Sequence, residues 1–295
     1  MAKRAGRRTT AAQKEKAKRV MKLLVGPGWL PVVLAAADEN LIRLYHGILD
    51  FGGTARDPGT GGFGTATPYF DVLPAAADFE GRDEGYEWEG GRYHKLGLYG
   101  EGWYDPSSRR GEIRLTPMGA AFLETFVRQV FILECYRRGA VVFHSVAFAR
   151  DGKAIVSCGV SGSGKSTLAA MVAGDFAAYS DEMNVVTAEG EVWGAPFRGM
   201  SLARVGEGGG KLAAFAFHRP GPAFHAERLT PGRAAAELAR NCFVYELAAA
   251  AVKERAFATI AAWAAGAAAA FEITVPLDAP QVRRGFRALL KGNDN

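Results

Sequence analysis

An α/β fold, with a smaller β-rich or α+β region ahead of it, is predicted by three observations on this 295-residue chain. The first is "CGVSGSGKST" at 158–167, where Gly159, Gly164, Lys165 and Ser166 satisfy G-x-x-x-x-G-K-[ST] between a β-rich run and a helix former. The second is the alternation of β-rich runs with helical patterns from residue 116 onward. The third is the aromatic and glycine-rich wording of "YEWEGGRYHKLGLYGEGWYD", which reads as short strands joined by turns. With 48% hydrophobic and 23% charged residues the chain can bury a full core.

Taken in order, residues 1–22 form a basic tail, with nine Lys and Arg against Glu15 alone. That tail carries +8 of a formal net charge of +5, so the remainder is near −3. It lacks the apolar segment of a secretory signal and is expected to be flexible or partly helical, with an acidic partner or nucleic acid as the partner it could attract. Residues 23–115 form the small N-terminal region: Gly26-Pro27-Gly28 breaks one apolar run, Pro31 opens another, and the Gly, Thr and Pro content of 52–68 argues for a loop. Residues 116–295 form the main domain. Its first helix is expected to be capped by Thr116, with Pro117 at the first helical position, and to turn Phe122, Phe126, Val130 and Leu133 toward a core.

"AVVFHSVAF" and "AIVSCGV" follow as two strands, and Asp151-Gly152 between them is a two-residue hairpin signal. "KSTLAAMVAGDF" reads as a helix, "AAYSDEMNVV" as a strand with a polar exit, and "EVWGAPF" as another strand. "GEGGGK" at 206–211 reads as a flexible loop. A helical, alanine-rich stretch from about Arg233 to Ala270, the strand "FEITVPL" and the helix "APQVRRGFRALLKG" complete the chain. The 16-residue apolar run at 256–271 is mostly alanine and too short to span a bilayer. Three cysteines, Cys135, Cys158 and Cys242, with no CxxC spacing, suggest reduced thiols in a cytoplasmic protein.

The glycine motif carries the chemistry. Glycines let successive N–H groups turn inward on phosphate oxygens at the positive end of the following helix. Gly159, Ser161, Gly162, Ser163 and Gly164 would form that cradle, Lys165 would reach the β and γ phosphates, Ser166 would face Mg²⁺, and Thr167 would sit beside it at the helix start. A two-residue turn at Asp151-Gly152 sets Arg150 against Lys153, and counting back places His144 opposite Gly159. Asp181 and Glu182 point to opposite faces of a continuous strand, so both serve one site only if the strand ends near Ser180. The same motif opens transport ATPases, but no LSGGQ-like signature occurs in this chain.

Together, "VVFHSVAFARDGKAIVSCGVSGSGKSTLAAMVAGDFAAYSDEMNVV" resembles the HPr kinase/phosphorylase family and the wider group of HPr-kinase-related proteins, which share a fold with ATP-dependent phosphoenolpyruvate carboxykinases. The resemblance implies a P-loop mixed sheet of the HPr kinase C-terminal type. It implies Gly159 to Thr167 as the nucleotide loop, with Ser166, Asp181 and Glu182 as metal ligands. Asp181 becomes the base or acid of phosphoryl transfer, His144 the strand histidine near the transferred phosphate, and Arg198 a phosphate contact. Glu182 stands where a second aspartate is usual, Thr167 where HPr kinases carry Glu, and their C-terminal Gly-Arg-Asn signature is missing.

The expected function is therefore a Mg-ATP-dependent kinase acting on a hydroxyl, a serine of a protein or peptide, in a homo-oligomer away from membranes. An ATP-binding regulator or assembly factor without transfer, and a nucleic-acid-associated ATPase using the basic tail, are the competing expectations.

Overall fold

The computed structural model describes residues 21–25, 30, 32–36, 67–75, 79, 84–195, 197, 208–243 and 250–292. The tail up to residue 20, most of the loop expected at 52–68, and Arg198 lie outside the described residues. Met21 and Lys22, read from sequence as the end of the tail, instead open the first strand. The described residues divide into two compact units, and the division falls inside a helix, between Phe126 and Val127.

The first unit is a seven-stranded sheet of β1 (Met21–Val25), β2 (Val32–Ala36), β3 (Tyr69–Pro74), β4 (Gly85–Glu89), β5 (Arg92–Gly97), β6 (Gly100–Asp105) and β7 (Arg110–Leu115), ordered β1-β2-β3-β7-β6-β5-β4. β4 to β7 form an antiparallel meander, and the short strands and turns expected in the aromatic, glycine-punctuated stretch are its first three strands. β6 alternates buried and half-buried positions, as a sheet with one covered face requires. The cover is the first half of α1 (Ala120–Arg137), whose Phe126 stacks on Tyr93 at 5.6 Å and meets Phe70 edge-on at 5.7 Å. α1 starts later than its sequence suggests. The Gly119 N–H donates to the Thr116 carbonyl at 2.9 Å, so Thr116 to Gly119 close a turn and Pro117 lies in it rather than at the first helical position.

The second unit contains β8 (Val141–Arg150), β9 (Lys153–Cys158), α2 (Lys165–Val172), β10 (Ala177–Ala178), β11 (Met183–Val186), β12 (Glu191–Gly194), β13 (Gly210–Pro220), β14 (His225–Arg228), α3 (Pro231–Asn241), α4 (Ala250–Ala262), a π-helical turn at Trp263–Ala267, β15 (Ala269–Val275) and α5 (Ala279–Gly292). It is an α/β arrangement on a mixed sheet. β8 and β9 form the expected hairpin, with Asp151 and Gly152 both at positive φ (52° and 74°) and Arg150 paired with Lys153. β9 and β15 both run parallel to β13. β12 joins β11 to the start of β13, so the hydrogen-bonded path β8-β9-β13-β12-β11 returns to β8.

Both faces of this sheet are covered. On one, Phe148, Ile155 and Ala216 pack against Leu168 and Val172 of α2 and Val282, Phe286 and Leu290 of α5. On the other, Phe143 and Phe215 meet Trp263 at 6.1 and 5.5 Å. Strands buried on two sides need apolar residues at successive positions, which is why β8 is a nearly unbroken hydrophobic run.

Three expectations are corrected here. The glycine stretch at 206–211 does not continue as a loop: Gly210 and Lys211 begin β13, an eleven-residue strand in the middle of the sheet. The helical stretch from Arg233 to Ala270 is two helices and a π turn, and Ala269 and Ala270 already belong to β15. "AAYSDEMNVV" is two short strands separated at Tyr179 to Glu182, so the acids stand between strands instead of at a strand's exit. No helix among the described residues is long and apolar enough to cross a membrane, and all three cysteines are free thiols.

Candidate functional site

β9 ends at Cys158, and the chain then turns through the glycine loop, 159–164, into α2. Gly162 and Gly164 take φ of 79° and 95°, a region that side chains with a Cβ rarely adopt. Gly164 is the N-cap of α2 and offers no side chain to its first N–H groups, which a helix leaves without intrahelical partners. Such a turn ahead of a helix N-terminus is chemically suited to an anion.

Lys165 is buried at the first position of α2, and its ammonium folds back over the loop, donating to the carbonyls of Gly159 (2.9 Å) and Val160 (3.1 Å). Burial pulls its pKa below the ordinary lysine value, partly opposed by the carboxylates of Glu182 and Asp181. Ser166 donates from Oγ to Asp181 Oδ2 at 2.6 Å, and Asp181 is only 5% exposed. Of the other predicted loop residues, Ser163 is half-buried while Ser161 and Thr167 are exposed.

A β-bulge lies just ahead of the two acids, where the Tyr179 N–H donates to the Ala147 carbonyl and the Ala147 N–H donates to the Ser180 carbonyl. From Ala178 to Met183 the chain advances one residue more than β8 does between their partners, Phe148 and His144. Ser180 Oγ accepts the N–H groups of Glu182 and Met183, each at 3.2 Å, and the Asn184 amide donates to the carbonyls of Ser145 (2.8 Å) and Ser180 (3.0 Å). Held this way, the two carboxylates meet different partners. Asp181 meets Ser166, while Glu182 lies 3.6 Å from His144 Nε2 and 3.8 Å from the Arg128 guanidinium. The contact with His144, and the charges of Arg128 and Lys165, hold Glu182 below the usual carboxylate range. The hairpin register places Ser145 against Cys158, so His144 is the next residue out, level with the start of the loop.

Two residues that sequence reasoning passed over complete the site. Arg128, on α1, reaches Glu182 and also lies over the Phe197 ring at 5.3 Å; no local pattern marks it, because both contacts are tertiary. His218, on β13, is 7% exposed, and the pairing of Phe217 with Cys158 sets it beside Gly159. Its Nδ1 lies 2.8 Å from Ser157 Oγ and its Nε2 3.1 Å from Ser163 Oγ. An apolar run ending in His, "LAAFAFH", is the signal that could have found it. A cleft of about 220 Å³ adjoins this corner, lined in part by Gly159, Val160, His218, Arg219, Arg233 and Glu272. A larger cleft, about 530 Å³, lies in the first unit among Glu84, His94, Lys95, Trp103 and Arg114, and none of the predicted site residues lines it.

Burial, with the charge of Lys165, lowers the His218 pKa from 6.5 to about 4. The unfolded chain then takes up a proton at pH values where the folded chain does not. The contribution of His218 to stability should be constant above pH 6.5 and fall between pH 6.5 and 4, by about 3 kcal/mol in all. Denaturant unfolding at pH 7, 5.5 and 4 measures this, and His218→Gln should remove the slope above pH 4.5. The Glu182 contribution belongs to lower pH, because a depressed carboxylate gives stability that is lost only below its unfolded pKa.

Among the described residues no three His, Cys, Asp or Glu side chains come together as a metal cluster. Ser166 and Asp181 nevertheless offer adjacent hard oxygens, and Mg²⁺ characteristically takes one or two carboxylates and completes its shell with water and phosphate. The residues present therefore fit that ion. Neither a scan of protein-family models nor a search of curated proteins returns a match to this chain.

Proposed function

We propose that the second unit is a Mg-ATP-dependent phosphotransferase with an HPr-kinase-like P-loop fold, transferring the γ-phosphoryl group to a hydroxyl, a serine of a protein or peptide. The observation that carries this reading is the 2.6 Å bond from Ser166 to Asp181 at the head of the helix that leaves the glycine loop. It joins the residue expected beside Mg²⁺ to the residue expected to take a proton.

Each residue then has a task. The N–H groups of the loop and of the first turn of α2 bind phosphate oxygens, and Lys165 turns from the carbonyls of Gly159 and Val160 to neutralise them. Ser166 and Asp181, with Glu182 once it leaves His144, would hold Mg²⁺, which when bound supplies charge neutralisation at the phosphates. Asp181 accepts the proton of the attacking hydroxyl as the new O–P bond forms and the bond from the γ-phosphorus to the ADP oxygen breaks. The proton then passes to solvent. Until it leaves, Glu182 is held in reserve by His144 and Arg128. Positioning and charge supply the catalysis, as is general for phosphoryl transfer.

Glu182, paired with His144 and Arg128 while Asp181 meets Ser166, favours one competing reading, an ATP-binding regulator that does not transfer phosphate. The test is incubation with γ-labelled MgATP and fractionated cell extract, with calorimetry for ATP binding. Label on a serine of a discrete acceptor supports the kinase, binding without label the regulator, and absence of binding removes both.

A further inference from the structure

We propose that His218 is a positioning residue for the glycine loop, acting through Ser163. It rests on the nucleotide-binding reading above only for its consequence, not for its geometry. The imidazole spans two elements. Ser157, against Nδ1, belongs to the regular strand β9, whereas Ser163, against Nε2, belongs to the loop. The ring therefore ties the loop to the sheet from the neighbouring strand β13.

The tie is sterically tight. A Cβ built on Gly159 would stand 2.3 Å from Ser163 Oγ and 3.0 Å from His218 Cε1, so backbone, hydroxyl and imidazole already touch at that point. A neutral imidazole donates through one nitrogen and accepts through the other. In either tautomer the Ser163 hydroxyl is engaged, which fixes that side chain against the imidazole. Neutrality also matters for the neighbour. A cation here would repel the Lys165 ammonium, and the burial and Lys165 charge that disfavour protonation keep the ring uncharged. His218 is thus a rigid polar strut that adds no charge to the loop beside that of Lys165.

Two substitutions separate the two bonds. The amide of His218→Gln reaches the Nε2 position and can still meet Ser163, whereas that of His218→Asn reaches only the Nδ1 position and Ser157. Amide hydrogen exchange of 159–164 without nucleotide, and calorimetric binding of MgATP, are measured on both variants and on Ser163→Ala, with thermal unfolding to show that each is folded. His218→Asn and Ser163→Ala should speed exchange in the loop and weaken MgATP binding about tenfold, while His218→Gln stays within about twofold of the parent. Equal behaviour of the Gln and Asn variants, or loss with Gln and retention with Asn, overturns the assignment. If the parent protein binds no MgATP, the proposed function falls, and the exchange pattern alone still decides the role of His218.

Discussion

Asp181→Asn should lower phosphoryl transfer about 10³-fold while leaving MgATP affinity within a few-fold of the parent, measured by single-turnover transfer of labelled phosphate alongside calorimetry. Asparagine has the same shape, and its carbonyl oxygen can still accept the 2.6 Å bond from Ser166, so the head of α2 keeps its partner. What disappears is the negative charge and the capacity to hold a proton, in a group that is 5% exposed and has little water to substitute for it. Lys165→Ala should behave differently, losing transfer and about 10²-fold in MgATP affinity, because it removes the charge that faces the phosphates before and during transfer. Turnover of Asp181→Asn at the parental rate would remove Asp181 as the base. Parental affinity in Lys165→Ala would remove the glycine loop as the phosphate cradle.

That a strand, a glycine turn and a helix opening at Lys165 could be read in this order from sequence follows from the local nature of the signals. G-x-x-x-x-G-K-S specifies backbone conformation at its glycines, and Gly162 and Gly164 do adopt positive φ. Asp151-Gly152 specifies a two-residue turn, and a turn of known length sets the register of every pair in the hairpin behind it, down to Ser145 with Cys158. β13 was illegible for two physical reasons. Its entry, Gly208 to Gly210, has turn composition, and its body is covered on both faces and so lacks the alternation by which half-buried strands are recognised. His218 was lost with it. Glu182 illustrates a third limit: one extra residue between Ala178 and Met183 shifts its register against β8, and a bulge leaves no pattern in composition. Arg128 could be counted on α1, but only the packed structure brings it to Glu182.

The largest stability effect should come from Phe286→Ala, about 3 to 5 kcal/mol by denaturant unfolding at pH 7. Val282, Phe286 and Leu290 recur on one face of α5, and all three are buried. Phe286 is wholly enclosed, with its ring edge-on to Phe148 at 4.8 Å and to Phe224 at 5.2 Å, so truncation removes several aromatic contacts and leaves a void with rigid walls. A domain of ordinary stability has only about 5 to 15 kcal/mol to lose, so the variant should unfold many degrees earlier than the parent. Its functional consequence is separable from this. The cluster around Phe286 includes Leu168 and Val172, and Arg283 donates to the Met171 carbonyl at 2.7 Å, so α5 supports the sheet-facing side and the far end of α2. The loop end of α2 is held by other bonds, those of Ser166 with Asp181 and of Lys165 with the loop carbonyls. MgATP affinity of Phe286→Ala, measured well below its unfolding temperature, should therefore stay within about twofold of the parent. A tenfold loss in the folded variant would mean instead that the apolar base of α2 sets the position of its first turn, and that the hydrogen bonds at the loop follow the packing rather than hold the helix themselves.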